Sequence, residues 1–209
     1  MKIGIIGSGK VGSTLAEQFT SAGHEVAVSN ARGPDSLRGL ESKLGAKAHA
    51  ATIEDAERFA DVVVISIPFR SYADFPADEL ADKIVIDATN YYPQRDGRFT
   101  ELDTDAQTSS EVLAGQLPGA ARVVKAFNAM MWTSLRDKAN KASSGQRVGI
   151  PISSDDSQAK QVVAGLIEQI GFEAVDAGSL AEGGRKHQPG TDVYTADLPA
   201  GQLRSRMAG

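Results

Sequence analysis

The chain has 209 residues, 41% of them hydrophobic, and a formal net charge of -5 at pH 7. This length and composition suffice for a buried core, and the net negative charge argues against nucleic acid as the main partner. The chain has no cysteine, which excludes disulfide bonds and thiolate catalysis, and its three histidines lie far apart in sequence, so no metal site is expected.

The first predicted element is a strand that runs into a glycine-rich turn. Residues 3–6 are mostly isoleucine, as in a strand buried on both faces of a parallel sheet. From Val11 onward, apolar residues recur at helical spacing. A Gly-x-Gly-x-x-Gly turn between such a strand and helix predicts a dinucleotide-binding unit. The turn consists of Gly7, Ser8, Gly9, Lys10, Val11 and Gly12.

The three glycines of this turn have separate expected roles. Gly7 makes the tight turn, Gly9 lets a pyrophosphate approach the backbone, and Gly12 lets the helix pack closely on the strand. The helix N-terminus offers its free N–H groups to the phosphates. The same stretch also matches the start of a P-loop, but Val11 stands where that motif needs Ser or Thr to bind magnesium. We therefore reject a nucleotide-triphosphatase.

The end of the second predicted strand, residues 25–29, indicates which dinucleotide binds. An NAD site places Asp or Glu there, to accept hydrogen bonds from the ribose 2′-hydroxyl. Here the strand ends in Ser29 and is followed by Asn30, Ala31 and Arg32, with no carboxylate. A guanidinium suits a phosphate dianion, so this loop predicts NADP(H). The alternative is that Arg32 is an ordinary exposed arginine.

Further strands and helices alternate along the chain. This pattern predicts an α/β, Rossmann-type doubly wound, mostly parallel sheet of seven to eight strands with helices on both faces. We expect residues 1–180 to form the dinucleotide-binding domain and residues 181–209 to form a C-terminal extension without its own core. Residues 91–108 lack periodicity and are predicted to form a long loop. The remaining predicted strands are 46–50, 62–67, 84–88, 122–126, 148–152 and 173–176, and the predicted helices are 34–44, 53–59, 109–117 and 157–170.

The sequence also bears on location. No apolar run approaches the roughly twenty residues of a membrane span. The chain enters its first strand directly, without a signal sequence. We therefore expect a cytoplasmic protein that does not contact a membrane.

Ligands of open α/β sheets bind beyond the carboxyl ends of the strands. Aromatic residues collect at three of these ends, which suits a flat ligand stacked on a nicotinamide. The alternative is that these rings cap the core. The candidates are Ser66, Ile67, Pro68, Phe69 and Tyr72 after the fourth strand, Thr89, Asn90, Tyr91 and Tyr92 after the fifth, and Lys125, Phe127, Asn128, Met130, Met131 and Trp132 at the sixth.

Several segments carry a resemblance to a known family. The chain resembles the coenzyme F420-dependent NADP oxidoreductases, and the cytosolic domain of STEAP-type metalloreductases is similar too. The resemblance extends over roughly residues 1 to 180, and its distinctive parts are the arginine loop and Lys125-Ala126-Phe127-Asn128. The matching segments are residues 7–12, 29–37, 64–69, 87–93, 124–128 and 176–178.

The resemblance implies a Rossmann domain that binds NADP(H), with a deazaflavin (coenzyme F420) or flavin ring against the nicotinamide as the small-molecule redox acceptor. By position, the residues from Ser8 to Val11 would hold the pyrophosphate, and Asn30 and Arg32 would hold the 2′-phosphate. Other expected cofactor-binding residues are Pro68, Phe69, Asn128 and Ala129, which would border the nicotinamide, together with Ser29, Ser66, Ile67 and Asn90.

The chain departs from the family in two places. Family members often have serine where this chain has Ala31, and we hypothesise that Lys10 supplies the missing phosphate donor. Residues 183–209 are polar and rich in Gly, Arg and Ala. They are unlike the apolar C-terminal helices of the F420 enzymes, so the resemblance does not define the acceptor pocket.

The implied reaction is direct hydride transfer between two rings held in contact. We assign no catalytic acid, because Lys125 is the sole candidate and a structural ion pair explains it better. Two alternatives stay open: an NADPH-dependent imine or carbonyl reductase, and an NADP(H)-binding redox sensor without turnover. The apolar residues from Met130 to Trp132 could form a homodimer contact.

Overall fold

The computed structural model describes residues 1–119, 121–139 and 146–208. Its centre is one eight-stranded sheet in the order β3-β2-β1-β4-β5-β6-β7-β8. All neighbouring strands are parallel except β6 and β7, which are antiparallel. The strands are β1 Lys2–Ile6, β2 Glu25–Ser29, β3 Ala48–Ala50, β4 Val62–Ile65, β5 Ile84–Asp87, β6 Arg122–Lys125, β7 Gly149–Ser153 and β8 Glu173–Gly178.

Helices cover both faces of the sheet. In β4, Val62 and Val64 pack into one core layer with α1 and α8, and Val63 and Ile65 pack into the other with α6. A strand buried on both faces reads as a continuous apolar run, as β4 does. The helices are α1 Lys10–Ser21, α2 Arg38–Leu44, α3 Ile53–Phe59, α4 Pro93–Asp96, α5 Thr100–Asp103, α6 Ser109–Gln116, α7 Trp132–Asp137, α8 Ser157–Gln169, α9 Glu182–Lys186 and α10 Ala200–Ala208.

The predicted α/β fold with its mostly parallel sheet is confirmed. Three local expectations are corrected. The helix predicted over 34–44 consists of two elements, a 3-10 helix, Pro34–Leu37, and an α-helix that starts at Arg38. Proline suits the first turn of a helix, so Pro34 can begin the first element. The long loop predicted over 91–108 contains α4 and α5, which are single turns too short for a periodic pattern. Helices α7, α9 and α10 were not predicted.

The C-terminal segment packs against the far edge of the sheet. Ala200, Leu203 and Met207 of α10 are buried in one cluster with Val175 and Ala177 of β8. A Cβ atom on Gly149 would lie 2.7 Å from Leu203, so the helix approaches β7 closely. Among the residues that the structure describes, no helix is long and apolar enough to cross a membrane.

Candidate functional site

The glycine turn after β1 has the geometry that its sequence predicts. Gly7 has a φ of +108°, which side chains with a Cβ rarely adopt, and a Cβ there would lie 2.2 Å from the carbonyl oxygen of Ser66. A Cβ on Gly12 would lie 1.9 Å from the carbonyl oxygen of Gly7. These two glycines are required by the packing of the turn itself.

Gly9 differs from them, because a Cβ at this position would meet no atom within 4 Å. It precedes α1, whose N-terminus has no side-chain cap and no acidic residue in its first turn. The first amide N–H groups of such a helix attract anions. The open space at Gly9 therefore fits a pyrophosphate, and a methyl group would fill it.

A cavity of about 520 Å³ opens on the side of the turn that faces β2. Its walls come from the glycine turn, from the loop after β2 and from the loop after β4. One carboxylate, that of Asp74, is also in the wall. The lining residues are Ile6, Gly7, Ser8, Gly9, Asn30, Ala31, Arg32, Ile53, Ser66, Ile67, Pro68, Ser71, Asp74, Phe75 and Pro76.

Asn30 organises the loop after β2. Its Nδ2 donates to Oγ of Ser8 at 2.8 Å and to Oγ of Ser36 at 3.1 Å, and its Oδ1 accepts from the backbone N–H of Arg32 at 2.8 Å. The side chain of Arg32 is exposed, and its guanidinium forms no hydrogen bond or ion pair with any described residue. Arg38, by contrast, pairs with Asp35 at 2.6 Å. Arg32 is therefore the arginine of this loop that is available to an anion in the cavity.

A second cavity, of about 380 Å³, lies at the carboxyl ends of β4, β5 and β6. It shares Gly9, Ser66, Ile67 and Pro68 with the first cavity, so the two meet at the glycine turn. The rest of its wall consists of Lys10, Val11, Ala88, Thr89, Asn90, Tyr92, Arg95, Phe127, Asn128, Met130, Met131, Trp132 and Tyr194.

Two features shape the wall of the second cavity after β6. Phe127 has a φ of +64°, an unusual conformation for a bulky residue, and its buried ring packs edge-on against Phe19 at a centroid distance of 6.2 Å. Trp132 has the cations of Lys10 and Arg136 each 5.0 Å from its ring centroid. Lys10 thus lines the second cavity and Arg32 the first, and the hypothesis that Lys10 supplies a phosphate donor stays a prediction.

The other expected cofactor-binding residues divide into two groups. The walls of the two cavities include Gly7, Ser8, Gly9, Lys10, Val11, Asn30, Arg32, Ser66, Ile67, Pro68, Asn90 and Asn128. The walls do not include Gly12, Ser29, Phe69 and Ala129. Ser29 is buried and its hydroxyl donates to the carbonyl oxygen of Ile5 at 3.3 Å. Phe69 packs under the loop against Tyr72, Tyr91 and Phe99.

Asn128 is held by His187, a residue of the C-terminal segment. Asn128 Nδ2 donates to Oδ1 of Asn90 at 3.1 Å and to the backbone oxygen of His187 at 2.9 Å, and its Oδ1 lies 2.9 Å from Nδ1 of His187. Nδ1 must therefore carry the proton, which leaves Nε2 to accept from the Ser153 hydroxyl at 2.8 Å. Burial, and then the nearby charge of Lys125, lower the pKa of His187 to about 3, so the ring is neutral.

Lys125 lies in the core beneath the second cavity and is paired there with Asp87. The two atoms Nζ and Oδ2 are 3.4 Å apart, and Nζ also donates to the hydroxyls of Ser109 and Ser110 at 3.1 and 3.0 Å. Burial alone would raise the pKa of Asp87, but Lys125 and donating hydroxyls, including that of Ser110, hold this pKa below its usual range. The geometry is that of a satisfied buried ion pair, as the sequence suggested.

Three wall and support residues were missed as site residues at the sequence level. His187 and Tyr194 lie in a polar segment far from any predicted strand end, and Arg95 lies in the predicted loop. Tyr92, by contrast, follows the fifth strand and is among the candidates that the sequence predicts. Nothing local in the sequence marks Tyr194.

The chain is similar to several proteins of known structure. It is 33% identical to the hypothetical protein SMa0349 of Sinorhizobium meliloti over 95% of each chain, with a TM-score of 0.83. It is 26% identical to a candidate F420-dependent NADP reductase from Arthrobacter sp. FB24 over 86% of each chain, with a TM-score of 0.73. A reductive aminase from Aspergillus terreus, in complex with NADPH4, shares 21% identity over 87% of this chain and 56% of its own, with a TM-score of 0.60, which shows a common fold.

No curated protein matches the chain. A family model does match it, and this family is described as coenzyme F420-dependent NADP oxidoreductase. The matched segment, residues 2–91, contains the glycine turn, the arginine loop and the strand ends after β4 and β5. Residues 2–91 of this chain are thus similar to the coenzyme F420-dependent NADP oxidoreductase family.

Proposed function

We propose that the protein is an NADPH-dependent oxidoreductase that transfers a hydride between NADP(H) and a planar conjugated ring of the deazaflavin or flavin type. One observation carries this proposal: two cavities of about 520 and 380 Å³ meet at Gly9 and at the segment from Ser66 to Pro68. A dinucleotide that crosses this junction would have its adenosine half in the first cavity and its nicotinamide in the second.

The first cavity supports the NADP(H) part of the proposal. Arg32 stands at its wall without a partner among the described residues, and Asn30 fixes the backbone of the same loop through Ser8 and Ser36. A guanidinium binds a phosphate dianion through charge-assisted hydrogen bonds. The 2′-phosphate is the group that distinguishes NADPH from NADH, so Arg32 would set the preference.

The second cavity supports a ring-shaped acceptor. Its lining residues include Tyr92, Phe127, Trp132 and Tyr194, and its volume lies within the usual range for small-molecule sites. Among its described lining residues there is no Asp, Glu or His. Such a wall can place two rings face to face, and its described titratable side chains are those of Lys10, Tyr92, Arg95 and Tyr194. Hydride transfer needs placement above all.

NADPH, when bound, would supply the hydride, and the balance of the reaction follows from that. NADPH, one proton and the oxidised acceptor give NADP⁺ and the acceptor reduced by two electrons. The residues of this chain would contribute the phosphate contacts of the glycine turn and the position of the rings between Pro68 and Trp132. The proton would come from solvent.

The test is a spectrophotometric screen of NADPH and NADH oxidation with coenzyme F420, FMN, FAD, quinones and ferric chelates. The proposal expects oxidation of NADPH in preference to NADH, with F420 or a flavin as the best acceptor. Tight NADPH binding without oxidation by any acceptor would overturn it and would favour a redox sensor. Preferential turnover of small imines or ketones would instead favour the reductase alternative.

A further inference from the structure

Two tyrosine hydroxyls meet at the wall of the second cavity. Tyr92 follows β5 and Tyr194 lies in the segment between α9 and α10, 102 positions later in the chain. Their hydroxyl oxygens are in direct hydrogen-bond contact. Both residues line the cavity in which we place the nicotinamide and the acceptor.

The position of Tyr92 is fixed from the side of β5. The guanidinium of Arg95 lies 4.8 Å from the ring centroid of Tyr92, at cation–π distance. Arg95 is itself held by the carboxylate of Asp96, at 2.9 and 2.8 Å, and by the backbone oxygen of Asn90, at 2.7 Å. The ring of Tyr92 therefore rests on a cation that cannot move freely.

The position of Tyr194 is fixed from the side of β6. The backbone N–H of Thr195 donates to the carbonyl oxygen of Ala129 at 2.9 Å, and Asp197 Oδ2 accepts from Ser134 Oγ at 2.5 Å. Thr195 and Asp197 have φ values of +58° and +50°. Left-handed backbone at residues other than glycine costs energy and persists where the surroundings enforce it, often at functional sites.

One of the two hydroxyl protons of this pair has no acceptor among the described residues. Each phenol has one O–H proton, and the contact between the two oxygens uses one of the two. Tyr194 also accepts a hydrogen bond from Nδ2 of Asn90, at 3.4 Å. Whichever tyrosine donates to the other, the second O–H proton has no acceptor among the described residues. This proton belongs to a pair of hydroxyls in the wall of the cavity, where a ligand can accept it.

We propose that Tyr92 and Tyr194 form a shared hydrogen-bond donor for a carbonyl oxygen of the acceptor ring. The proposal rests on the proposed function, because it assumes that the acceptor enters the second cavity, and it specifies the acceptor as a neutral conjugated ring that bears a carbonyl group. A hydrogen bond to that oxygen would orient the ring and draw electron density towards it as the hydride arrives.

The pair is suited to donate a hydrogen bond rather than to release a proton. Burial, and then the hydrogen bond with Tyr92, raise the pKa of Tyr194 above its ordinary value, so its hydroxyl stays protonated near neutral pH. The Arg95 cation acts in the opposite direction on the pKa of Tyr194, but its effect is smaller than those of burial and the hydrogen bond. The proton consumed in the reaction would still come from solvent.

The experiment measures binding of lumiflavin, a neutral isoalloxazine without a phosphate, to the protein saturated with NADP⁺. Trp132 is the single tryptophan of the chain and lines the same cavity, so quenching of its fluorescence reports ligand in that cavity. NADP⁺ cannot reduce lumiflavin, so the measurement is free of turnover. The variants are Tyr92→Phe, Tyr194→Phe and the double variant.

We expect the double variant to bind lumiflavin about tenfold more weakly, as loss of one hydrogen bond predicts, and each single variant to lose less because one O–H remains. The matched control is Tyr91→Phe. The Tyr91 hydroxyl lies 3.0 Å from the backbone oxygen of Gly97 and 2.8 Å from Oδ1 of Asp103, so its single proton has acceptors within the protein, and Tyr91 does not line the second cavity. Its binding of lumiflavin should match that of the wild type.

Two results would overturn the proposal. One is a double variant that keeps its native melting temperature and binds lumiflavin as tightly as the wild type. The other is a wild-type protein that does not bind lumiflavin. NADPH oxidation by the wild type, measured in parallel with the acceptor screen, distinguishes failure of the tyrosine proposal from failure of the proposed function. If oxidation persists, only the role of the tyrosine pair fails, whereas if no acceptor is reduced, the proposed function fails as well.

Discussion

The Nδ1 atom of His187 lies 2.9 Å from Oδ1 of Asn128, so a residue of the C-terminal segment orients a residue in the wall of the second cavity. Nε2 of the same ring accepts from Ser153 at the end of β7. Both Nδ2 protons of Asn128 are used by Asn90 and by the backbone of His187. Asn128 therefore shapes the cavity through fixed internal bonds and has no amide proton left to donate to a ligand.

This arrangement predicts a specific pH dependence of stability. The pKa of His187 is about 3 in the folded protein, below its ordinary value of 6.5. The unfolded chain therefore binds more protons between these values, and the free energy of unfolding should fall as the pH drops from about 6.5 towards 3. We expect His187→Gln to flatten this part of the profile in urea unfolding experiments. His49→Gln, at an exposed site, is the control. Parallel profiles for wild type and His187→Gln would contradict the assignment.

The fold could be predicted from sequence where the signal is local. Strand β2 and helix α3 match their predicted bounds because each is a complete hydrophobic pattern with clear ends, and Thr52 caps α3 through its side chain. Helix α10 was missed because only Ala200, Leu203 and Met207 are buried in an otherwise polar segment. The antiparallel pairing of β6 with β7 depends on tertiary packing that no local pattern encodes.

The role of Arg32 can be tested by comparing two dinucleotides. We expect Arg32→Ala to weaken NADPH binding at least about tenfold more than NADH binding, because a charged hydrogen bond to the 2′-phosphate contributes about 1.5–3 kcal/mol. Isothermal titration calorimetry measures both dissociation constants. Arg38→Ala is the matched control, since Arg38 lies close by in sequence but is paired with Asp35. An equal loss of affinity for both dinucleotides would contradict the assignment of Arg32 to the 2′-phosphate.

Substitution of Gly9 and of Gly12 by alanine should have different effects. Gly9→Ala should fold normally, because its Cβ has open space and its φ of -70° suits alanine, but it should lose dinucleotide binding. Gly12→Ala should lose stability, because its Cβ would lie 1.9 Å from the carbonyl oxygen of Gly7. Thermal melts and NADPH titrations of both variants distinguish the two effects. Normal NADPH affinity in Gly9→Ala would contradict a pyrophosphate at this position.

Lys125 should prove structural. Removing one partner of a buried ion pair typically costs about 3–5 kcal/mol of stability, so Lys125→Met should unfold at much lower urea concentration than the wild type. The double variant Lys125→Met with Asp87→Asn should regain part of this loss, because no uncompensated charge stays buried. A stable Lys125→Met protein that has lost only its turnover would point to a catalytic role instead.

Much of the walls of both cavities could be predicted from sequence, because the glycine turn and the residues after β4, β5 and β6 follow strand ends. The glycine turn and Arg32 are contiguous in sequence and have known chemistry, so their motifs identify them. The contribution of the last part of the chain could not be predicted: Tyr194 lines the second cavity and His187 supports Asn128, and both lie in a segment without a local signal. Phe69 also follows a strand end, and its ring packs in the core, so its contact with a cofactor stays a prediction.

The central claim is that NADPH delivers a hydride to a ring in the second cavity. Its most direct test is single-turnover oxidation of NADPH deuterated at the transferred position, with F420 or lumiflavin as the acceptor. We predict that the protein oxidises NADPH with either ring and that deuterium slows the oxidation. A protein that binds NADPH tightly but leaves it unoxidised with both rings would contradict the account.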